Sequence, residues 1–203
     1  MKAILLAAGE GKRFFESGSK TFKQLYPYNN EPIIKRCVRT VKETLLFNEI
    51  IVVLGQNEEC NEQIKKVLNG EEITYIINNA SRKDNNFLSV LAGLSHCKPS
   101  GESIIIIETD CIFTSDDLKK LTTDLSYNEI RWSNLGPAFE NQTGGFLLTS
   151  EIDSGEVHEI KIVGKFKDDD ELVLKKKYVK KMFGLTAMDS QAILKYLELS
   201  ELC

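Results

Sequence analysis

Residues 5–15 read LLAAGEGKRFF, a run of small apolar residues that stops at two glycines and two cations. Ala3 to Ala7 has the character of a short strand buried on both faces, so Gly9 and Gly11 fall just past its carboxyl end. Residues without Cβ let backbone N–H groups approach a phosphate and take backbone angles that others avoid. A dinucleotide-binding loop would read GxGxxG and enter a helix at once. Here Phe14 holds the third position, and the next fifteen residues carry no helical pattern. The phosphate loop GxxxxGK[ST] is absent as well. What remains is a long loop with Lys12, Arg13, Lys20 and Lys23 around a glycine turn. A loop longer than about 12–15 residues inside a compact domain is usually functional.

Working outward, apolar runs alternate with helical stripes through the first two thirds of the chain. Glu49 to Leu54, Ile73 to Ile77 and Ser103 to Glu108 read as further strands of a mainly parallel sheet. Between them, Ile33, Ile34, Cys37, Val38, Val41 and Leu45 form one stripe, and a helix opened by Asn57 carries Ile64, Val67 and Leu68. Phe87 to Cys97 predicts another helix, and Ser115-Asp116-Asp117 opens one with Leu118, Leu121 and Leu125. Such an order predicts an α/β fold with helices on both faces of the sheet and ligands at the carboxyl ends of the strands.

The last third changes character. Gly144 to Thr149, Val157 to Val163 and Leu172 to Leu174 predict a small antiparallel hairpin region, with turns at Asp153-Ser154-Gly155 and Asp168 to Asp170. A strand near Lys181 to Met188 and a helix capped by Asp189 close the chain. Lys175 to Lys177 with Lys180 and Lys181, facing Asp168 to Glu171, read as a solvated hairpin. The expectation is one mixed α/β domain over 1–203, with a nucleotide-binding half, 1–125, and an acceptor-binding half, 126–203.

A formal charge of −4 argues against nucleic acid as a partner, which calls for a basic patch or stripe. No apolar stretch reaches the roughly 18 residues of a membrane helix, and the apolar run at the N-terminus ends too soon for a signal peptide. Five scattered cysteines without a CxxC pair, and two histidines, give zinc little to build on and suit thiols in a reducing compartment. A cytoplasmic location is therefore expected.

LLAAGEGKRF resembles the LxAGxGxR signature of nucleotidyltransferases with a Rossmann-like, GT-A-like fold. FKQLYPYNNEPII, residues 22–34, is similar to the segment that follows in that family. Phe22 departs from the proline usual there, and the loop is slightly longer, yet Lys23 stays in register. The resemblance implies that Leu6, Ala7, Ala8, Gly9, Glu10, Gly11 and Lys12 bind nucleotide, with Arg13 and Lys23 as catalytic cations on phosphate oxygens.

Two further stretches point to the same family. DNNFLSVLAGL, residues 84–94, opens a helix for which Asn85 or Asn86 is a natural cap. It also resembles the NN-x-x-SL segment of cytidylyltransferases acting on phosphocholine and phosphonates; a methylerythritol-phosphate type is a looser match through Arg82. That likeness implies Asn86 and Ser89 as contacts to a pyrimidine. IIIIETDCIF, residues 104–113, places Glu108, Thr109 and Asp110 just after a buried strand. Carboxylate oxygen suits Mg²⁺, while Asp110 equally well begins the loop before Ser115. ETDCIF is similar to an acidic motif of the phosphocholine type, implying Asp110 as a metal ligand. Asp189 is a second candidate by position, its other reading being an N-cap.

Together these parts imply a cytidylyltransferase that uses CTP and Mg²⁺. A phosphate monoester is largely a dianion at pH 7, so an acceptor of that kind needs no general base, in keeping with motifs free of histidine. The chain's length favours a small phosphorylated alcohol, amine or phosphonate over a large sugar. Arg131 and Trp132 adjoin an expected turn and read either as core or as acceptor contacts. A homodimer through the late hairpin follows from the resemblance alone. The rival readings are a sugar-1-phosphate nucleotidyltransferase using UTP or dTTP, and a non-catalytic nucleotide-binding module.

Overall fold

The computed structural model describes residues 1–9, 11–79, 86–98, 101–149, 155–169, 173 and 176–200. Two compact units result, one of residues 1–131 and 185–203, the other of residues 132–184.

In the first unit, β1 (Lys2–Leu6) is flanked in parallel by β4 (Glu49–Leu54) and β6 (Ile104–Glu108). β5 (Thr74–Ile77) extends the sheet beyond β4, again in parallel. On the other side, residues 185–188 of β10 (Val179–Met188) pair antiparallel with β6. Ala3, Ile4 and Leu5 are wholly buried, as are Ile51 to Leu54 and Ile104, Ile105 and Ile107. Strands covered on both faces lose the apolar–polar alternation, which is why these runs are continuously apolar.

The helices explain that coverage. Ile34, Cys37, Val38 and Val41 of α2 (Ile33–Glu43) form a buried stripe at helical spacing. α3 (Glu58–Val67) starts at Asn57, whose side chain accepts from Cys60 N at 2.9 Å, and buries Ile64. α4 (Asn86–Cys97) and α6 (Ser190–Ser200) pack Leu94, Cys97, Ala192, Ile193 and Leu197 with Ile4, Ile51, Val53, Ile104 and Ile106. Side chains alternate along a strand, so Leu5, Val52 and Ile105 point to the opposite face. α5 (Ser115–Thr122) is capped by Thr114 in a reciprocal box with Asp117. The helix opens at Ser115 as expected, with Thr114 as its cap, and Leu125 lies beyond its end.

A local expectation is corrected. Lys12–Glu16 forms a one-turn helix, α1, because Gly11 takes a left-handed φ of 67° and its carbonyl receives the N–H groups of Phe14 and Phe15. Too short to show a periodic stripe, it left no pattern in the sequence. Arg131 and Trp132 lie inside a strand, β7 (Ile130–Pro137), which follows the turn at Tyr127–Asn128. The short strands β2 (Pro27–Tyr28) and β3 (Glu31–Pro32) pair with each other, after a 3₁₀ turn at Lys23–Leu25.

In the second unit, β8 (Gly144–Thr149) pairs antiparallel with β9 (Val157–Val163) and with residues 179–181 of β10. Phe146, Leu148, Phe166 and Val179 form its buried cluster with Ala138. The ammonium of Lys181 bonds the carbonyls of Gly145 and Met182, each at 3.0 Å, rather than standing in a solvated hairpin. Residues 172 and 174 of the strand expected at 172–174, and most of the turn at 153–155, lie outside the described residues. No described helix is long and apolar enough to cross a membrane.

Candidate active site

The register of the first sheet sets the site. Leu6 lies beside Val53 on one side and Glu108 on the other, so the chain leaves β1, β4 and β6 at one edge. Thr109 then donates its hydroxyl to Leu6 O at 2.8 Å, tying the end of β6 to the end of β1. Gly55 brings β4 in so closely that a Cβ there would stand 2.5 Å from Ala8 O. Gln24, buried in the 3₁₀ turn, donates Nε2 to Ala7 O at 2.9 Å and to Gly9 O at 2.7 Å. Gly9 and the apolar start of the glycine loop are thus held from three directions.

Charged groups gather above this frame. The ammonium of Lys23 forms an ion pair with the carboxylate of Asp110, both side chains being roughly half-buried. Asn86, first residue of α4, donates Nδ2 to Glu108 Oε1 at 3.2 Å. Glu108, Asp110 and Cys111 offer ligand atoms that all lie within 4.8 Å of one another. β6 ends at Glu108, and Cys111 N turns back to Glu108 O at 3.2 Å, so a tight turn rather than a continued strand brings the two carboxylates together.

Behind them, Ser89 is buried and accepts a hydrogen bond from Asn78 Nδ2 at 3.0 Å. Cys37 approaches Thr109 O, and burial pushes its thiol up to about 12. Lys12 and Arg13 are exposed, and the Arg13 guanidinium has no intramolecular partner among the described residues. Glu10, Arg82 and Asn85 lie outside the described residues.

Asp189 is not part of this group. Met188 pairs with Ile104, so Asp189 sits at the amino end of β6, on the order of 20 Å of strand from Asp110. Its buried carboxylate is used up in capping: Oδ1 accepts from Glu129 N at 3.1 Å and Ala192 N at 2.9 Å, and Oδ2 from Gln191 N at 3.2 Å. The geometry rules out a metal shared by Asp189 and Asp110. For Mg²⁺, the hard oxygens of Asp110 and Glu108 are the fitting donors here; the Cys111 thiol is too soft for that shell.

Residues 3–141 match the MobA-like NTP transferase domain. The chain belongs to that family. The 2-C-methyl-D-erythritol 4-phosphate cytidylyltransferase of Lachnoclostridium phytofermentans is 32% identical over 120 residues, 55% of this chain and 48% of that protein. The bifunctional protein GlmU of Caldicellulosiruptor saccharolyticus is 26% identical over 150 residues, 73% of this chain and 31% of its own. A choline-phosphate cytidylyltransferase of Streptococcus pneumoniae is also a relative, 32% identical over 90 residues, 44% of this chain and 38% of that protein. The chain thus spans less than half the length of these curated relatives. Among solved structures, the inositol-1-phosphate CTP transferase from T. maritima shares the fold, with a TM-score of 0.65 at 18% identity over all of this chain and 74% of its own.

In this NTP transferase domain, sequence reasoning passed over Gln24, Gly55, Asn78 and Thr109. Each acts through a single side chain, or the lack of one, against a backbone atom or a neighbour distant in sequence. Only the adjacency of Gln24 to Lys23 offered a signal.

Proposed function

We propose that this chain is a nucleotidyltransferase that joins CMP from CTP to a small phosphorylated or phosphonate acceptor and releases pyrophosphate. The observation that carries the reading is the Lys23–Asp110 ion pair, set beside a glycine loop at the carboxyl ends of β1, β4 and β6. Membership of the NTP transferase family and the cytidylyltransferase relatives support it.

An acceptor oxygen attacks the α-phosphorus of CTP; a bond forms there as the bond to the pyrophosphate oxygen breaks. The dianionic acceptor arrives already deprotonated, so no residue must take its proton. What remains is positioning and neutralisation of charge. Lys23 and Arg13 meet the charge that grows on the phosphate oxygens and leaves with pyrophosphate. Gly9 and Gly11 admit the triphosphate to the backbone, alongside Leu6 to Lys12. Asn86 and Ser89 face the pyrimidine, with Ser89 held by Asn78. Asp110, with Glu108, would hold Mg²⁺, which supplies further neutralisation of the phosphates.

The test is pyrophosphate release with Mg²⁺ and each of CTP, UTP, dTTP, ATP and GTP, against pooled phosphomonoesters and phosphonates. Release with CTP alone is expected, and splitting the pool names the acceptor. Release only with UTP or dTTP and a sugar phosphate would replace the cytidylyl reading. Failure to bind any nucleotide would overturn the function.

A further inference from the structure

We propose that Gln24 is the positioning residue of the nucleotide loop, orienting its peptides and the neighbouring Lys23 through one buried amide. This rests on the nucleotidyltransferase reading and adds a residue to it. Gln24 is 4% exposed, and both protons of its Nε2 are spent, on Ala7 O and on Gly9 O. Its Oε1 is buried and has no partner among the described residues. A buried amide that wastes its acceptor costs about 1–3 kcal/mol relative to one fully paired. Its donors, not its acceptor, are what the fold uses.

Those donors fix an orientation. The two ends of a trans peptide point in opposite directions, so drawing the Ala7 carbonyl toward Gln24 turns the Ala8 N–H away from it. Neither Ala8 N nor Gly9 N has an intramolecular partner among the described residues. Successive free N–H groups beside inward carbonyls give the loop the polarity an anion requires. Ala8 O is meanwhile pinned against Gly55, which leaves this loop little freedom to turn over.

The same anchor acts on catalysis. Lys23 and Gln24 are consecutive in one 3₁₀ turn, with Gln24 buried and Lys23 directed to Asp110. Holding the amide beneath the loop therefore sets the distance between the free N–H groups and the ammonium. One residue keeps both in register with the triphosphate.

The experiment compares wild type, Gln24→Met and Gln24→Glu by calorimetric titration with inorganic tripolyphosphate and with CTP, with thermal midpoints in parallel. Wild type should bind both ligands. Loss of two donors should weaken both by about tenfold or more in Gln24→Met. Gln24→Glu should be weaker still, because its carboxylate meets two carbonyl oxygens. Backbone amide exchange in wild type, followed by NMR, should show Ala8 and Gly9 protected by tripolyphosphate. A merely structural role would lower the midpoint and leave that protection unaltered in the folded variants. Variant affinities within twofold of wild type would overturn the role of Gln24 while the function stood. Wild type that binds neither ligand would sink the function, and this inference with it. If both variants fail to fold, absence of ligand-dependent protection at Ala8 and Gly9 in wild type overturns the proposal.

Discussion

Lys23 and Asp110 lie 87 residues apart in sequence and meet as an ion pair at the carboxyl edge of the sheet. Their side chains are 42% and 35% exposed, and half-exposed pairs of this kind add only about 0–1 kcal/mol to stability. Little stability follows from the contact. Asp110→Asn should keep the melting midpoint near that of wild type and reduce pyrophosphate release by about 10²–10³-fold. A midpoint that collapsed with unchanged turnover per folded molecule would make Asp110 structural.

Arg13 presents the opposite case, a guanidinium exposed on α1 with no intramolecular partner among the described residues. Truncating it leaves no buried group unpaired. Arg13→Ala should therefore fold as wild type and lose about 10²–10³-fold in turnover, as expected for a contact made to developing charge. Turnover within about twofold of wild type would remove Arg13 from the site.

Ser89 and Asn78 test the nucleobase. Ser89 is 5% exposed and accepts from Asn78 at 3.0 Å. Ser89→Ala should cost about 1 kcal/mol of stability through the lost hydrogen bond. Should the pair face a pyrimidine, the preference for CTP over UTP should also fall by about tenfold, since a site built on polar contacts discriminates by leaving them unmet. Measuring kcat/KM for both nucleotides decides it.

The fold was legible where burial writes itself into composition. Ile50 to Leu54 and Ile104 to Ile107 are apolar throughout because helices cover both faces, and Asn57 marked the start of α3 by its capping oxygen. β7 escaped notice because Arg131 and Asn134 lie within it, with polar atoms satisfied by local partners rather than by a core. Asp189 was misplaced for a different reason. Sequence shows that it follows a strand but not that the strand runs antiparallel, and direction alone puts it at the wrong end for Asp110. The glycines and cations of the loop stand out in the sequence; the buried amide of Gln24 and its bonds to Ala7 O and Gly9 O do not.

At the other end of the first sheet, Glu49 predicts acid behaviour. Its carboxyl is held down to about 2 from 4.5, first by the hydrogen bond from Lys2 at 2.7 Å, then by Thr74 and His96. A depressed folded value means stabilisation present in full above pH 4.5 and lost as pH falls toward 2. Allowing for partial exposure, the contribution is about 1–2 kcal/mol. Glu49→Gln should be less stable by that amount at pH 7, and the gap should close across the acid limb. Urea unfolding at a series of pH values measures it; a gap constant down to pH 2 would contradict the linkage.

Gly9 and Gly55 separate what the fold demands from what the ligand demands. A Cβ on Gly55 would strike Ala8 O at 2.5 Å and Ala8 C at 3.2 Å, both backbone atoms that cannot step aside. Gly55→Ala should therefore displace the loop and cost about 1–3 kcal/mol, as overpacking does. A Cβ on Gly9 would meet nothing within 4 Å, so the protein itself places no steric claim on that position. Gly9→Ala should fold at least as well as wild type, gaining up to about 1 kcal/mol through a less flexible unfolded chain. If phosphate oxygens pack against the backbone there, the same methyl group occupies their place, and CTP affinity should fall by about tenfold or more. Calorimetric titration of Gly9→Ala with CTP measures this directly. Undiminished affinity would mean that the triphosphate lies elsewhere along the loop.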